Sequence, residues 1–180
     1  MDRATLISDT FASLHDAANV LNAETDGPRL IDVALNEFSR KLPARETLRV
    51  DWTCAGVTVG VDTRAFRVGV VVWSAAQRAA CADVALPVPP RSRLEGFGPD
   101  KKLRLLAAHH GPVPARGNCD VTLHLHHQLP LDPTDTDTPC TIPEEQHSLL
   151  RLRCQIEALR ELASRNITKA VTLRDGVTQG

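Results

Sequence analysis

Two patterns of apolar residues alternate along the chain, one with the period of a helix and one with the period of a strand. Near the N-terminus, apolar residues recur every three or four positions over residues 5–22 and again up to Leu42. This spacing predicts two amphipathic helices. The sequence Asp-Gly-Pro at residues 26–28 predicts a break between them, and Pro43 ends the second helix.

The period then changes to strict alternation. Residues 48–52 and 57–61 place an apolar side chain at every second position, which predicts two half-buried strands. Residues 66–73 are apolar at nearly every position, which indicates a strand covered on both faces. Short turn sequences separate the three runs, so we expect an antiparallel meander.

The middle of the chain carries shorter signals. Alanine-rich residues 74–83 predict a short helix, and the proline- and glycine-rich residues 87–99 predict a loop. Residues 102–110 predict another short helix, and residues 120–126 alternate as a strand does. The acidic, proline-rich residues 130–143 predict a connector.

The clearest helical signal lies near the C-terminus. Thr141 and Glu144 have the spacing of a capping box. Residues 167–173 have the composition of a strand, and the order of elements predicts a mixed α+β fold rather than a βαβ series. The C-terminal helix itself is predicted by five apolar residues at alternating three- and four-residue spacing: Leu149, Leu152, Ile156, Leu159 and Ala163.

Composition narrows the class of protein. A length of 180 residues suits one domain, or one domain and the start of another. The net charge of -1 gives no overall attraction to nucleic acid or membrane, and no apolar run is long enough to span a bilayer, so we expect an intracellular protein. The cysteines are odd in number and never form a Cys-x-x-Cys pair, which argues against a disulfide framework and a zinc module.

Residues 30–36, Leu-Ile-Asp-Val-Ala-Leu-Asn, place Asp32 four positions before Asn36, so both side chains lie on one helix face. This run resembles the N-box helix of the MutL homologues of the GHKL (Bergerat-fold) ATPases, most closely the eukaryotic MutLγ type. The resemblance implies that Asp32, where the family has Glu, activates the water that attacks the γ-phosphate of ATP, and that Asn36 holds Mg²⁺. The shorter carboxylate implies weakened catalysis.

Three further stretches carry the resemblance. The alternating valines of residues 57–72 resemble the hairpin that follows the N-box. Residues 96–100, Gly-Phe-Gly-Pro-Asp, resemble the phosphate loop of the family, and residues 117–119, Gly-Asn-Cys, stand in the place of its Gly-Thr motif. The adenine-binding motif of the family corresponds to residues 72–76, which lack its acid and its glycines, and the lid is missing. ATP binding and hydrolysis are therefore expected to be weak or lost. The resemblance implies nucleotide contacts by Gly96, Gly98, Gly117 and Asn118.

The same resemblance sets expectations for the whole chain. It implies a two-layer α/β sandwich of GHKL type over residues 1–142, followed by the first helix and strand of a transducer-type domain over residues 143–180. A MutL-type DNA mismatch-repair or meiotic-recombination protein would bind another MutL homologue as a heterodimer and bind DNA through phosphate contacts. It would be located in the nucleus of a eukaryote, or otherwise in the cytoplasm, and would not bind membranes.

Two alternatives stay open at this point. The first is a non-enzymatic interaction module that keeps a dead Bergerat scaffold and binds partners through the helix of residues 149–163. The second is a metalloprotein, because His124 and His126 alternate onto one strand face with Asp120, near Cys119 and His127. The competing interpretation of that face is the polar outer side of a half-buried strand.

Overall fold

A computed structural model describes residues 1–14, 20–80, 88–107 and 116–178, the last eleven of these by their helical backbone alone. The chain divides into two compact units. The helical unit comprises Met1–Leu42 and His127–Gly180, and the β unit comprises Pro43–His126. In the sequence, the β unit is therefore inserted between two segments of the helical unit.

The secondary structure confirms the predicted mixed α+β class. The helices are α1 (Arg3–Ala12), α2 (Ala23–Lys41), α3 (Ala75–Ala80) and α4 (His147–Thr178). The strands are β1 (Ala44–Thr53), β2 (Val57–Gly60), β3 (Ala65–Trp73), β4 (Arg91–Glu95), β5 (Lys102–Leu106) and β6 (Arg116–Leu125).

Side-chain caps fix the starts of the first two helices. The Asp2 carboxylate accepts a hydrogen bond from the Thr5 backbone N–H at 2.8 Å, which lowers the pKa of Asp2. The Asn22 side chain accepts from the Glu24 N–H at 2.8 Å. The first helix was predicted over residues 5–22 but ends at Ala12, and residues 15–19 lie outside the described part of the chain.

The predicted break at residues 26–28 is wrong, because these residues lie inside α2. Gly27 is buried, and a Cβ atom there would lie 2.8 Å from Cγ2 of Ile7. Glycine therefore permits a close approach of α1 to α2 rather than ending a helix. Pro28 lies in the second turn, where its missing N–H removes one hydrogen bond of the helix.

Helix α4 packs on α1 and α2 through one face. Its buried residues Leu150, Cys154 and Ala158 follow at four-residue spacing. Ala158 packs in a small cluster with Leu21 and Leu30. Leu150 and Cys154 share the larger core of the helical unit with residues of α1, α2 and the loop before α4, including Leu6, Ile31, Ala34, Phe38, Leu129 and Ile142.

An ion pair joins the start of α2 to α4. The Arg165 guanidinium donates to both carboxylate oxygens of Asp26, at 2.6 and 3.1 Å, and to the backbone oxygen of Val20 at 3.1 Å. Arg165 holds the pKa of Asp26 below its usual range, so this pair stabilises the fold above the unfolded pKa of an aspartate. The stabilisation is lost as the pH falls through the folded pKa.

Two predictions for the C-terminal region are wrong. Residues 167–173 continue α4 instead of forming a strand, because extending an existing helix requires no new nucleus. Thr141 does not cap α4, which begins at His147 after a 3₁₀ turn at Glu144–Gln146. The Thr141 hydroxyl instead accepts a hydrogen bond from the Gln128 N–H at 2.8 Å.

The β unit contains two antiparallel three-stranded sheets, in the orders β1-β6-β3 and β2-β5-β4. The predicted meander is wrong, because β1 and β3 both pair with β6 while β2 pairs with β5. Both sheets contribute to one core, whose buried residues are Val50, Trp52, Ala65, Trp73, Leu103, Leu105, Cys119, Val121, Leu123 and Leu125.

Other predictions for the β unit have mixed outcomes. The strand at residues 120–126 is confirmed as part of β6, and the short helix near residue 75 is confirmed as α3. The helix predicted over residues 102–110 is wrong where the structure describes it, because residues 102–106 form β5. The loop predicted over residues 87–99 contains β4. Residues 81–87 and 108–115 lie outside the described residues.

The contact at Gly27 generates a stability prediction. We expect Gly27→Ala to lower the free energy of unfolding by about 1 kcal/mol, because overpacking of about 1–3 kcal/mol outweighs the ~1 kcal/mol gain in helix propensity. Urea unfolding followed by circular dichroism measures the change. In an Ile7→Ala background the same substitution should cost less, whereas a stabilised Gly27→Ala protein would contradict the close contact. Gly60→Ala is the control, since a Cβ atom there would meet nothing within 4 Å.

Candidate functional site

The spacing of Asp32 and Asn36 puts both side chains on the exposed face of α2, because Ile31, Ala34 and Phe38 are buried on the other. Both residues line one cleft of about 430 Å³ within the helical unit, which we call the helical-unit cleft. Its remaining lining residues are Arg3, Leu35, His127, Gln128, Leu129, Leu131 and Thr138.

The two predicted nucleotide-binding residues of α2 differ in their surroundings. The Arg3 guanidinium donates a hydrogen bond to Asp32 and forms a salt bridge with it. A water or substrate in the cleft would therefore compete with Arg3 for this carboxylate, which weakens Asp32 as a general base. The Asn36 side chain is exposed and makes no hydrogen bond to a described residue, so its amide is available to a ligand.

His127 forms the buried end of the helical-unit cleft. Its Nε2 lies 2.8 Å from the backbone oxygen of Leu42, and its Nδ1 lies 3.0 Å from the backbone oxygen of Thr141. Its backbone N–H donates to the Ser39 hydroxyl at 3.0 Å. These contacts join the end of α2 to the loop before α4, so His127 has a structural role in the helical unit.

The predicted phosphate-loop glycines lie in the β unit, in the hairpin between β4 and β5. Gly96 and Gly98 have φ angles of 79° and 55°, in the left-handed region that glycine adopts readily. A Cβ atom at Gly96 would lie 2.6 Å from the backbone oxygen of Asp100. The tight turn therefore accounts for Gly96 without a nucleotide.

Gly117 and Asn118 lie in β6, opposite Trp52 and Asp51 of β1. A Cβ atom at Gly117 would lie 3.2 Å from Cζ3 of Trp73, so this glycine makes room for a core indole ring. The strand registers place Gly117 near the turn that leads into β2, and the Gly96 hairpin beside the other end of β2. The structure thus brings Asp32 and Asn36 together but separates the two glycine segments.

The segment matched to the adenine motif forms the junction between β3 and α3. Val72 is an outward residue of β3 opposite Asp120, and Ser74 is buried. The Ser74 hydroxyl accepts from the Gln77 N–H at 3.2 Å, as a cap of α3 does. Ser74, one of the residues by which this segment differs from the adenine motif, therefore caps the start of α3.

The histidine-rich strand has the predicted alternation. Cys119 faces the core of the β unit, whereas Asp120 faces outward and binds Arg49 at 3.0 Å. The His126 ring packs on Phe66 with centroids 4.5 Å apart. Among the residues that the structure describes, no three or more His, Cys, Asp or Glu side chains are grouped so that they could hold a metal ion.

His124 lies in a second cleft of about 430 Å³, which we call the β-unit cleft. Burial lowers the pKa of His124, and the nearby charges of Arg67 and Arg45 lower it further. The alternation of β6 predicted that His124 faces outward, but its arginine neighbours depend on strand register. The cleft is lined by Arg45, Arg67, Val68, Gly69, Val70, Thr122 and His124.

A third candidate surface is the outer face of α4. Leu149, Leu152 and Leu159 are 50%, 53% and 52% exposed, because α4 packs on the helical unit through a different face. We call the five residues of this face, with their three- and four-residue spacing, the α4 stripe: Leu149, Leu152, Ile156, Leu159 and Ala163.

Four arginines of α4 are paired with carboxylates inside the helical unit. Such pairing reduces the positive charge available for phosphate contacts. The pairs are Arg151–Asp9, Arg153–Glu37, Arg160–Glu157 and Arg165–Asp26.

In the described part of the chain, no helix is long and apolar enough to cross a bilayer.

The bonds of His127 generate a stability prediction. His127→Phe keeps a ring at this position but removes the one N–H of the neutral imidazole, which donates to the backbone oxygen of either Leu42 or Thr141. We expect the free energy of unfolding to fall by about 1–3 kcal/mol in total, measured by urea unfolding. An unchanged midpoint would contradict the structural role. His147→Phe is a comparison, since the Ile142 carbonyl that its ring bonds at 3.1 Å lies only five residues away along the chain.

Comparison with known proteins adds no family to these observations. No family model, no curated protein and no solved structure matches the chain. The candidate sites therefore depend on the geometry of the described residues alone.

Proposed function

We propose that this chain is a non-enzymatic protein-interaction module that binds through the α4 stripe. The observation that carries the proposal is the half-exposed state of Leu149, Leu152 and Leu159 on one face of the longest helix. Isolated exposed leucines are common on protein surfaces, but a continuous row of them marks a surface for association.

The energy available to such a surface is substantial. Complete burial of a leucine side chain stabilises a protein by about 1.5–3 kcal/mol, and half of that remains to be gained at each of the three leucines. Ile156 is half-buried and lies between them, so the surface has no polar interruption from Leu149 to Leu159. A partner helix that covers the row would bury all of these side chains together.

The occupant that fits the α4 stripe best is α4 of a second copy, in a parallel pair. The stripe has the heptad form in which Leu149, Ile156 and Ala163 occupy one core position and Leu152 and Leu159 the other. Ile between leucines at alternating core positions favours two-stranded pairing.

The residues that flank the α4 stripe select the parallel orientation. In a parallel pair, Gln155 of one copy faces Arg160 of the second copy, and Leu162 faces Ile167 of the second copy. None of these pairs is repulsive. An antiparallel pair would place Arg153 and Arg160 of the two copies beside one another, where neither would gain a partner, because both already bind carboxylates of their own copy.

We expect the chain to be dimeric in light scattering, and Leu152→Glu with Leu159→Glu to weaken the dimer by at least about 100-fold, because half the burial energy of two leucines in each copy is lost. Circular dichroism should show that the double variant stays folded, since both residues are already half exposed. A wild-type protein that is monomeric at its highest soluble concentration would contradict the proposal. Leu131→Glu is the matched control, because Leu131 is 65% exposed and lies outside α4.

A second proposal is a MutL-type function in DNA mismatch repair or meiotic recombination, with the GHKL fold and a transducer-type region from residue 143. The observation that favours it is the shared position of Asp32 and Asn36 in the helical-unit cleft. In this proposal Asn36 holds Mg²⁺ of bound ATP, another MutL homologue and DNA are the partners, and a eukaryotic protein is nuclear. The Arg3–Asp32 pair supports a pseudo-ATPase rather than an active enzyme.

Calorimetric titration with a magnesium-bound, non-hydrolysable ATP analogue tests this second proposal. We expect saturable binding that Asn36→Ala weakens by at least about tenfold, because the amide is the proposed metal ligand. Arg40→Ala is the control, since Arg40 is exposed on α2 and does not line the cleft. Absence of binding to a folded protein would remove the nucleotide and leave the dimerisation proposal unaffected.

A further inference from the structure

A row of three nitrogen-bearing side chains crosses the first sheet of the β unit. His124 of β6 is the register partner of Arg45 in β1 and of Arg67 in β3. Directly opposed residues of an antiparallel sheet share one face, so all three side chains lie on the outer face of this sheet. Adjacent strands lie about 4.8 Å apart, which places the two arginines roughly 10 Å from one another with His124 between them.

The two arginines of this row are unpaired within the described structure. Neither Arg45 nor Arg67 makes a hydrogen bond or a salt bridge to a described residue. Four residues along β6, by contrast, Asp120 occupies the equivalent outward position and binds Arg49 at 3.0 Å. The central strand β6 therefore supplies a carboxylate beside Arg49 but an imidazole between Arg45 and Arg67. The row of Arg45, His124 and Arg67 has no negative charge of its own.

His124 adds an unsatisfied buried group to the same place. The side chain is only 9% exposed, and its Nδ1 is buried with no hydrogen-bond partner among the described residues. A buried polar atom without a partner costs about 1–3 kcal/mol, so native proteins rarely retain one without a reason. A bound anion would balance both guanidinium charges, and the ring nitrogen that would donate to it is Nε2, which lies beside Gly69 in the cleft lining.

The backbone is shaped around this imidazole. A Cβ atom at Gly69 would lie 2.7 Å from Nε2 of His124 and 3.3 Å from the backbone oxygen of Thr122. The pairing of β3 with β6 is irregular on both sides of this point, between Ala65 and Arg67 and between Val68 and Val71. Such bulges redirect side chains and are common beside binding sites.

From these observations we propose that the β-unit cleft binds a phosphate group between the guanidinium groups of Arg45 and Arg67, with the His124 imidazole as a third donor. Guanidinium groups bind phosphate through paired hydrogen bonds, which makes phosphate a better fit than a spherical anion. The Thr122 hydroxyl lines the same cleft and offers a fourth donor. The cleft volume of about 430 Å³ accommodates a phosphate with a small organic substituent.

The surroundings favour a single phosphate over a nucleic-acid backbone. A backbone needs cations repeated along its path, whereas this row is followed on the same sheet face by the neutralised pair of Arg49 and Asp120. Val70, which is 61% exposed, lines the cleft beside the arginines and suits the carbon atoms of a phosphomonoester.

Calorimetric titration at low ionic strength with inorganic phosphate and with O-phosphoserine tests the proposal, and the ratio of the two affinities shows whether free phosphate or a monoester is preferred. We expect saturable binding of at least one of them, and none of acetate. Arg45→Gln and Arg67→Gln should each weaken it by at least about tenfold, because each removes a charge-assisted donor pair. Arg91→Gln is the control, since Arg91 lies in the other sheet.

Gly69→Ala probes the shape of the cleft without removing a charge. The added methyl group would displace the His124 ring, so we expect phosphate affinity to fall by at least about tenfold while both arginines remain. Gly60→Ala, in open space, should leave the affinity unchanged. Unchanged affinity in Gly69→Ala and in both arginine variants would overturn the proposal. Binding of an oligonucleotide without binding of either phosphate compound would overturn it as well.

Discussion

The antiparallel pairing of β1 with β6 is the interaction on which both units depend. It extends over ten register pairs, from Ala44 opposite Leu125 to Thr53 opposite Arg116. Because β3 pairs with the other edge of β6, the central strand has both edges satisfied. The alternation of β6 then determines which residues enter the core and which face outward, and a slip of one residue would exchange the two sets.

The same pairing makes the nested order of the chain possible. The helical unit is assembled from two segments separated by residues 43–126, and closing a loop of ~80 residues costs about 4 kcal/mol of chain entropy. Once β1 and β6 pair, the first and last strands of the insertion lie side by side. The two ends of the inserted segment are then close together, so most of the entropy cost of closing the loop has been paid by that pairing. On the helical side, His127 then bonds to Leu42, so the two segments meet at the point where the insertion begins and ends.

Local periodicity predicted most elements but not their partners. The apolar spacing of α2 and α4, the alternation of β1, β2 and β6 and the apolar run of β3 were sufficient to place those elements. The prediction that β3 is covered on both faces is wrong, because Val70 and Val72 are 61% and 37% exposed. The helix prediction failed at β5 because only two inward leucines, Leu103 and Leu105, alternate with outward residues there, and Leu106 is an outward leucine. Five residues are too few to distinguish a strand from a helix. Gly27 was misassigned because a glycine that permits helix contact looks the same in sequence as one that ends a helix.

The candidate sites show the same limit. The four-residue spacing of Asp32 and Asn36 correctly predicted a shared face, since that relation is internal to one helix. The convergence of Arg45 and Arg67 on His124 depends on the registers of two strand pairs, which the sequence does not express. The α4 stripe was recognised as a helical pattern, but only the packing of Leu150, Cys154 and Ala158 shows that the stripe is left exposed.

Two buried cysteines make the separate opening of each unit observable. Cys119 lies in the core of the β unit and Cys154 in the core of the helical unit, and burial raises their pKa values to about 11 and about 12. Only a thiolate attacks an alkylating reagent, so each thiol is labelled when its own unit opens. The exposed thiol of Cys54 gives the alkylation rate of a cysteine that burial does not protect. Each unit thus carries a buried thiol that reports on its own opening, and comparing the two labelling rates would show whether the β unit or the helical unit opens first.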